Sequence, residues 1–352
     1  MQVTIVGDYP PPHGGIAVHV KQLHAFLKDA GLQARVLDIG KGKHDTDDVT
    51  PVRSWVDYAR HVAALASSPE VVHLHISGNN AKAWAVAASL GTAVSSEGRR
   101  VLTVHSGLMP AFAKKSRSNR LLIRGAASGY QRVIAVSEAV KEGLVGCGVP
   151  TTKLLVHPAF LASQVRPGAL PQDFAPMRAR RKPLLCFAHH PSKVYGRELM
   201  FRALKELSAH YPELGLAVFG PGTHSSEFER DASSFGVTGL IEKLGELQHE
   251  QALAVMAASD AFVRPTTADG DAISVREALT LGVPTVASDV CKRPEGARVF
   301  KGGDAASLCD AIRDALAHGP SITPAVDAGP FVLDLYRELS PRMASLRIKA
   351  AG

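Results

Sequence analysis

Asp269 and Glu277 stand eight positions apart in RPTTADGDAISVREALTLGVPTVASDV, the stretch densest in polar chemistry. Asp269 falls in a Gly-containing loop, and Glu277 falls in the first turn of the helix that follows. Ser274-x-x-Glu277 also spells a capping box, in which Glu277 would only close the helix start. Asp269-Gly-Asp271 spells a DxD triplet, a pattern able to chelate a divalent ion between phosphates; its place in the second of two halves argues against that use. Elsewhere, His105 follows the strand-like run VLTV and leads into Ser106 and Gly107. Gly14 and Gly15 sit directly before a helical pattern, where a phosphate can approach backbone amides at the positive helix end. His189, His190, Lys193 and Arg197 cluster in the turn after LLCFA, a place where cations can hold a diphosphate.

Several chemistries are disfavoured. There is neither a GxGxxG fingerprint nor a Walker pattern, so dinucleotide and P-loop chemistry are not indicated. Cys147, Cys186, Cys291 and Cys309 are scattered and form no CxxC pair, as inert thiols of a reducing compartment would be. His73 and His75 share one face of a strand-like run, but two histidines make an incomplete metal site. We therefore expect no metal and no cofactor.

The elements that must position these residues alternate. The 352 residues suggest two domains. The start, MQVTIVGDYP, reads as a first strand rather than a signal peptide. Strand-like runs at 2–7, 33–39, 71–76, 101–104 and 133–136 alternate with helical patterns such as 16–30, whose apolar spacing runs Ile16, Val20, Leu23, Leu27. A stretch rich in Pro and basic residues, 158–182, reads as a connection, its Arg178–Lys182 run as a solvated charge cluster. A second alternating set follows, with strand-like runs at 184–188, 216–219, 261–264 and 285–288. This pattern predicts an α/β chain of two doubly wound, Rossmann-like domains facing across a cleft. The expected parts are a first domain over 1–165, a linker over 166–182, a second domain over 183–329, and a final helix at about 330–350 packing back on the first.

The chain resembles the retaining nucleotide-sugar glycosyltransferases of the GT-B fold, glycosyltransferase family 4 (group 1). The resemblance rests on the turn at Gly220 and Gly222, LGEL at Leu244–Leu247, ASDAFVRP at Ala258–Pro265 and EAL..GVP at Glu277–Pro284. In the first half it rests on Gly14-Gly15, Thr103–His105 and AVSEAVKEGL at Ala135–Leu144. It implies that Asp269 meets the transferred sugar, although the family usually has Glu there, and that Glu277 meets the nucleotide ribose. His105 would touch the donor sugar. Gly14, Gly15, Gly220, Leu247 and the amides of Ala272, Ile273 and Ser274 would line the donor, with Gly15 making room for the diphosphate. His190, Lys193 or Arg197 would stand where the family carries an Arg and a Lys. The implied reaction retains anomeric configuration without a metal or a protein nucleophile.

Charge adds a partner. The chain nets +7, and residues 98–137 alone hold eight basic and no acidic residues. Lys114, Lys115, Arg117, Arg120 and Arg124 lie among apolar residues, as in a membrane-surface segment. No aromatic interleaving or base-reading motif points to nucleic acid. The expectation is a cytoplasmic hexosyltransferase, peripheral on the inner face of the cell membrane, acting in polysaccharide or cell-envelope glycan assembly. The donor would be a UDP-sugar first and GDP-mannose second, the acceptor a glycan or lipid-linked sugar. Alternatives are a non-catalytic sugar-nucleotide-binding scaffold subunit, or a nucleotide-sugar epimerase on the same fold.

Overall fold

The structure, a computed structural model, describes residues 1–11, 14–41, 45–66, 68, 70–93, 99–321 and 326–340. The chain divides into two compact units, Met1–Gln164 with Val326–Gly352, and Val165–Ala325.

The first unit is built on a seven-stranded parallel sheet. Its chain order is β1 (Gln2–Gly7), α1 (Gly15–Asp29), β2 (Gln33–Asp38), β3 (Val49–Pro51), α2 (Trp55–Ala66), β4 (Val71–Ile76), α3 (Ala81–Ala93), β5 (Arg99–Val104), α4 (Met109–Lys114), α5 (Arg117–Ser128), β6 (Arg132–Ala135), α6 (Glu138–Gly146) and β7 (Leu154–Val156). The spatial order is β3-β2-β1-β4-β5-β6-β7. All six residues of β4 are buried, as expected of a parallel strand covered on both faces. Gly7 ends β1 where an added Cβ would meet Val20 Cγ2 at 2.9 Å and His75 Cβ at 3.3 Å. Only glycine allows β1, α1 and the end of β4 to approach this closely.

In the second unit α7 (Phe174–Ala179) precedes β8 (Leu184–Ala188), α8 (Arg197–Ser208), β9 (Gly215–Phe219), α9 (Ser226–Ser234), β10 (Ile241–Gly245), α10 (His249–Ala257), β11 (Ala261–Arg264), α11 (Ile273–Thr280), β12 (Thr285–Ser288), β13 (Arg298–Phe300) and α12 (Ala305–His318). Its six parallel strands run β10-β9-β8-β11-β12-β13. The last described helix, α13 (Ala328–Leu339), belongs to the first unit. There Val332, Leu335 and Tyr336 join the apolar cluster of Val3, Ile5 and Leu23. Of the helical pattern expected to reach 350, residues 341–352 lie outside the described residues.

The expected linker is corrected in two respects. Phe174 and Met177 of α7 are buried in the second unit's core. The basic run beside them is solvated only in part: Arg180 and Lys182 are exposed, whereas Arg178 pairs with Asp260 at 2.8 Å and Arg181 with Glu242 at 2.8 Å. Through these two pairs Arg178 and Arg181 tie the approach to β8 to the residue before β11 and to β10.

Candidate active site

Parallel sheets present ligands at the carboxyl ends of their strands. In the second unit the turn after β8 carries His190, Lys193 and, entering α8, Arg197. Gly220 follows β9 with φ of +120°, and a Cβ there would lie 2.2 Å from the His189 carbonyl oxygen, so no other residue fits. Leu247 lies between β10 and α10, half-buried against the core. Asp269 lies in the loop after β11, and Ala272, Ile273, Ser274 and Glu277 belong to the start of α11.

Asp269 is the hub of a buried charge network. Arg264 donates to its Oδ1 at 2.9 Å, Arg293 to its Oδ2 at 3.0 Å, and the Thr266 hydroxyl to Oδ2 at 2.5 Å. Burial pushes the Asp269 carboxyl up, but Arg264 and Arg293 outweigh it and hold it below the usual carboxylate range. Two residues on, Asp271 pairs with Arg276 at 2.8 Å, yet there burial wins and the carboxyl is raised. Both acids of the DxD triplet are therefore engaged by arginines. The Arg264 guanidinium also lies 4.7 Å from the Tyr195 ring, and Tyr195 stacks on His190 with centroids 4.9 Å apart. A single chain of contacts thus runs from His190 to Arg293.

The capping-box reading of Glu277 is overturned. Helix α11 starts at Ile273 with Ala272 as its N-cap, which has no side chain able to accept a bond, so Ser274 lies inside the first turn and Glu277 beyond it. Glu277 is buried, and its Oε1 lies 3.1 Å from Nε2 of His249, the first residue of α10. The amides of Ile273 and Ser274 have no intrahelical acceptor and form the positive end of α11, whereas Val275 N–H already donates to the Ala272 carbonyl at 3.0 Å. Arg197 pairs with Glu227, at 2.6 Å, and with Asp231. Lys193 is exposed and makes no ion pair among the described residues. Sequence reasoning missed Arg264, Thr266, His249 and Arg293. Arg264 ends a strand at the ligand-facing edge, which was a usable signal; Arg293 lies in a loop with none.

In the first unit Gly14 caps α1 in an extended conformation, Gly15 opens the helix, and a Cβ on either would meet nothing within 4 Å. His105, just after β5, joins His19 of α1 and His75 of β4. His75 Nδ1 lies 3.1 Å from His105 Nε2, and the His19 ring centroid lies 5.1 Å and 5.3 Å from those of His75 and His105. His19 falls four residues before Leu23 and eight before Leu27, on the buried helix face, so its spacing could have revealed it. Beside this cluster a cavity of about 510 Å³ is lined by Asp8, Trp55, Tyr58, His75, Asn80 and Lys82. Trp55 is 65% exposed and meets Tyr58 edge-on at 5.9 Å.

The basic window is thinner than its composition suggests. Arg100 is buried and donates to the Gly91 carbonyl, and Arg132 pairs with Glu338. Lys114, Lys115, Arg117, Arg120 and Arg124 remain exposed on α4, α5 and the turn between them, with Leu121 58% exposed among them. No described helix is long and apolar enough to cross a membrane.

Residues 13–160 match the profile described as Glycosyltransferase Family 4, and residues 172–321 match Glycosyl transferases group 1. The chain belongs to the group 1, family 4 glycosyltransferases. A GDP-mannose-dependent alpha-(1-6)-phosphatidylinositol monomannoside mannosyltransferase of Mycolicibacterium smegmatis is 28% identical over 184 residues, 46% of this chain and 48% of that protein. A GDP-mannose-dependent monoacylated alpha-(1-6)-phosphatidylinositol monomannoside mannosyltransferase of Corynebacterium glutamicum is 27% identical over 107 residues, 28% of each chain. The similarity therefore spans half or less of these curated relatives. Among solved structures, Anabaena HepE in complex with UDP and glucose superposes with a TM-score of 0.72 at 16% identity, covering 98% of this chain and all of that one. Sucrose-phosphate synthase from Thermosynechococcus elongatus gives 0.70 at 17% identity, with full coverage of both. At such identities the likeness is one of fold, the GT-B pair of Rossmann-like domains that the alternating pattern predicts.

Proposed function

We propose that this family member transfers a sugar from a nucleoside-diphosphate donor to a hydroxyl of a glycan or lipid-linked acceptor, with retention of configuration. The observation that carries the reading is the second unit's strand-end site: the open amides of Ile273 and Ser274 at the start of α11, with buried Glu277 on the same helix and the Asp269 network in the loop before it. Departure of a nucleoside diphosphate builds negative charge, and pre-placed donors at a helix start stabilise it. In this reading the bond from the sugar's anomeric carbon to the diphosphate oxygen breaks as the bond to the acceptor oxygen forms. The acceptor proton passes to the departing phosphate, so no protein nucleophile is needed.

Roles follow for the named residues. Glu277 takes the nucleotide ribose, Asp269 and His105 the transferred sugar, and the amides of Ala272, Ile273 and Ser274 the diphosphate, with Lys193 as the cation. Gly14, Gly15, His190, Gly220 and Leu247 shape the donor's surroundings. The acceptor sugar stacks on Trp55 over the first unit's cavity, consistent with an exposed aromatic platform beside polar groups. The exposed α4–α5 stripe of Lys114, Lys115, Arg117, Arg120 and Arg124 docks on an anionic membrane, placing the protein on the inner face in cell-envelope glycan assembly. GDP-mannose is favoured by the sequence relatives and UDP-glucose by a HepE structure solved with UDP-glucose.

One observation favours a second reading, a sugar-nucleotide-binding subunit without turnover: the Asp269 carboxylate already accepts from three partners. An acceptor-dependent release assay separates the two. Transfer predicts nucleoside diphosphate release from one donor, unaffected by EDTA, and a product whose anomeric configuration by NMR equals the donor's. Binding with no release from any donor would leave the scaffold reading.

A further inference from the structure

We propose that His19, His75 and His105 form a binding site for one divalent transition-metal ion of the zinc class. One nitrogen from each ring lies within 4.8 Å of the others, the rings coming from α1, β4 and the turn after β5. Three nitrogens bound to zinc at about 2.0–2.1 Å are roughly 3.4 Å apart, so the set closes on an ion with small side-chain shifts. The His75–His105 pair is already at 3.1 Å.

The hydrogen bonds identify these rings rather than their neighbour. A neutral imidazole has one donor and one acceptor nitrogen. His73 satisfies both, with Tyr336 Oη at 2.6 Å and Thr103 Oγ1 at 2.7 Å. His19 Nδ1 is buried and has no partner. A buried orphan of this kind costs about 1–3 kcal/mol unless something occupies it. With Nδ1 bare, the His19 bond to the Ala159 carbonyl falls to Nε2. Metal-bound histidines are oriented in this way, by giving the other N–H to a carbonyl. Desolvation holds the His19 ring down to about 4 and those of His75 and His105 well below their ordinary value, so the rings are neutral. An all-nitrogen set selects Zn²⁺, Ni²⁺ or Cu²⁺ over Mg²⁺ or Ca²⁺, which demand oxygen. His105 is partly exposed and provides the way in. The site leaves a fourth position open, and an ion there withdraws His105 from the sugar.

The test is calorimetry of the full chain, stripped with EDTA and dialysed, against Zn²⁺ alone. One ion per chain is expected, with affinity falling at least tenfold in His19→Gln and in His75→Gln while both variants still melt cooperatively. The Co²⁺-loaded wild type should show the visible bands of a nitrogen-ligated, low-coordinate ion. No stoichiometric binding overturns the proposal, as does binding unchanged in both variants. Should both variants fail to fold, ring resonances of the wild type decide: Zn²⁺ must shift His19, His75 and His105 and leave His61 and His318 in place. Only the consequence for activity rests on the transferase reading. Stoichiometric Zn²⁺ that stops transfer, reversed by EDTA, supports both. Stoichiometric Zn²⁺ that leaves transfer untouched keeps the metal site and removes His105 from the sugar. An active enzyme that binds no Zn²⁺ overturns the metal site alone.

Discussion

Three buried histidines and a partly exposed fourth stack against one another in the first unit, with no carboxylate among their hydrogen-bond partners in the described residues. The second unit instead packs Arg264, Arg276 and Arg293 against Asp269 and Asp271. Imidazoles can shed their protons and enter the interior neutral. Arginines cannot, so each must meet a carboxylate. One strand-end site is therefore set up for uncharged hydroxyls or a soft ion. The other is a stiff charged lattice whose geometry depends on every partner staying in place.

The sharpest way to break this contrast is Asp269→Ala. It strands Arg293, whose side chain is 1% exposed, and should cost about 3–5 kcal/mol in urea unfolding. A cost below about 1 kcal/mol would mean that the lattice does not hold the second site. The same carboxylate sets an acid limit. Its folded-state pKa lies below the unfolded value, so its contribution is whole above about pH 4 and drains as pH falls through the folded value. Asp269→Asn should accordingly flatten the decline in stability below about pH 4. In the neutral unit, His73→Phe leaves the Tyr336 and Thr103 hydroxyls without their ring partner and should cost about 2 kcal/mol. An equal cost to Asp269→Ala would erase the distinction. Smallest is Lys193→Ala, exposed and outside the lattice. It should leave the melting temperature alone and weaken nucleoside-diphosphate binding about five- to tenfold, roughly 1 kcal/mol for one exposed charge-assisted contact; Arg197→Ala, already paired with acids, should do the reverse.

Much of the fold was legible because the central strands are buried on both faces and spell continuous apolar runs. What escaped were β3, β7, β10 and β13, all at the sheet edges and three to five residues long. An edge strand buries less of itself, as the half-exposed pattern of β10 shows, so its sequence carries little period. The candidate site split in the same way. Glycines and acids announce themselves by spacing, and Gly220 shows the close approach that its place after a strand suggests. Side-chain partners drawn from distant loops do not: nothing in CKRPEG tells that Arg293 closes on Asp269 across 24 residues. The capping signature at Ser274 misled because local spacing cannot show where a helix starts, and the chain begins α11 two residues earlier, with Ala272 rather than Ser274 as the N-cap.

The central claim is that the carboxyl ends of β8–β12 and the start of α11 hold a nucleoside diphosphate, with Glu277 on its ribose. Thermal-shift titration of wild type and Glu277→Ala with UDP, GDP, ADP, dTDP and CMP tests it directly, since a ligand that binds only the folded state raises the melting temperature with its concentration over Kd. A dose-dependent rise with UDP or GDP is expected in the wild type, and a rise reduced or lost in a variant that still melts cooperatively. A rise of equal size in Glu277→Ala, or none with any nucleotide in the wild type, would contradict it.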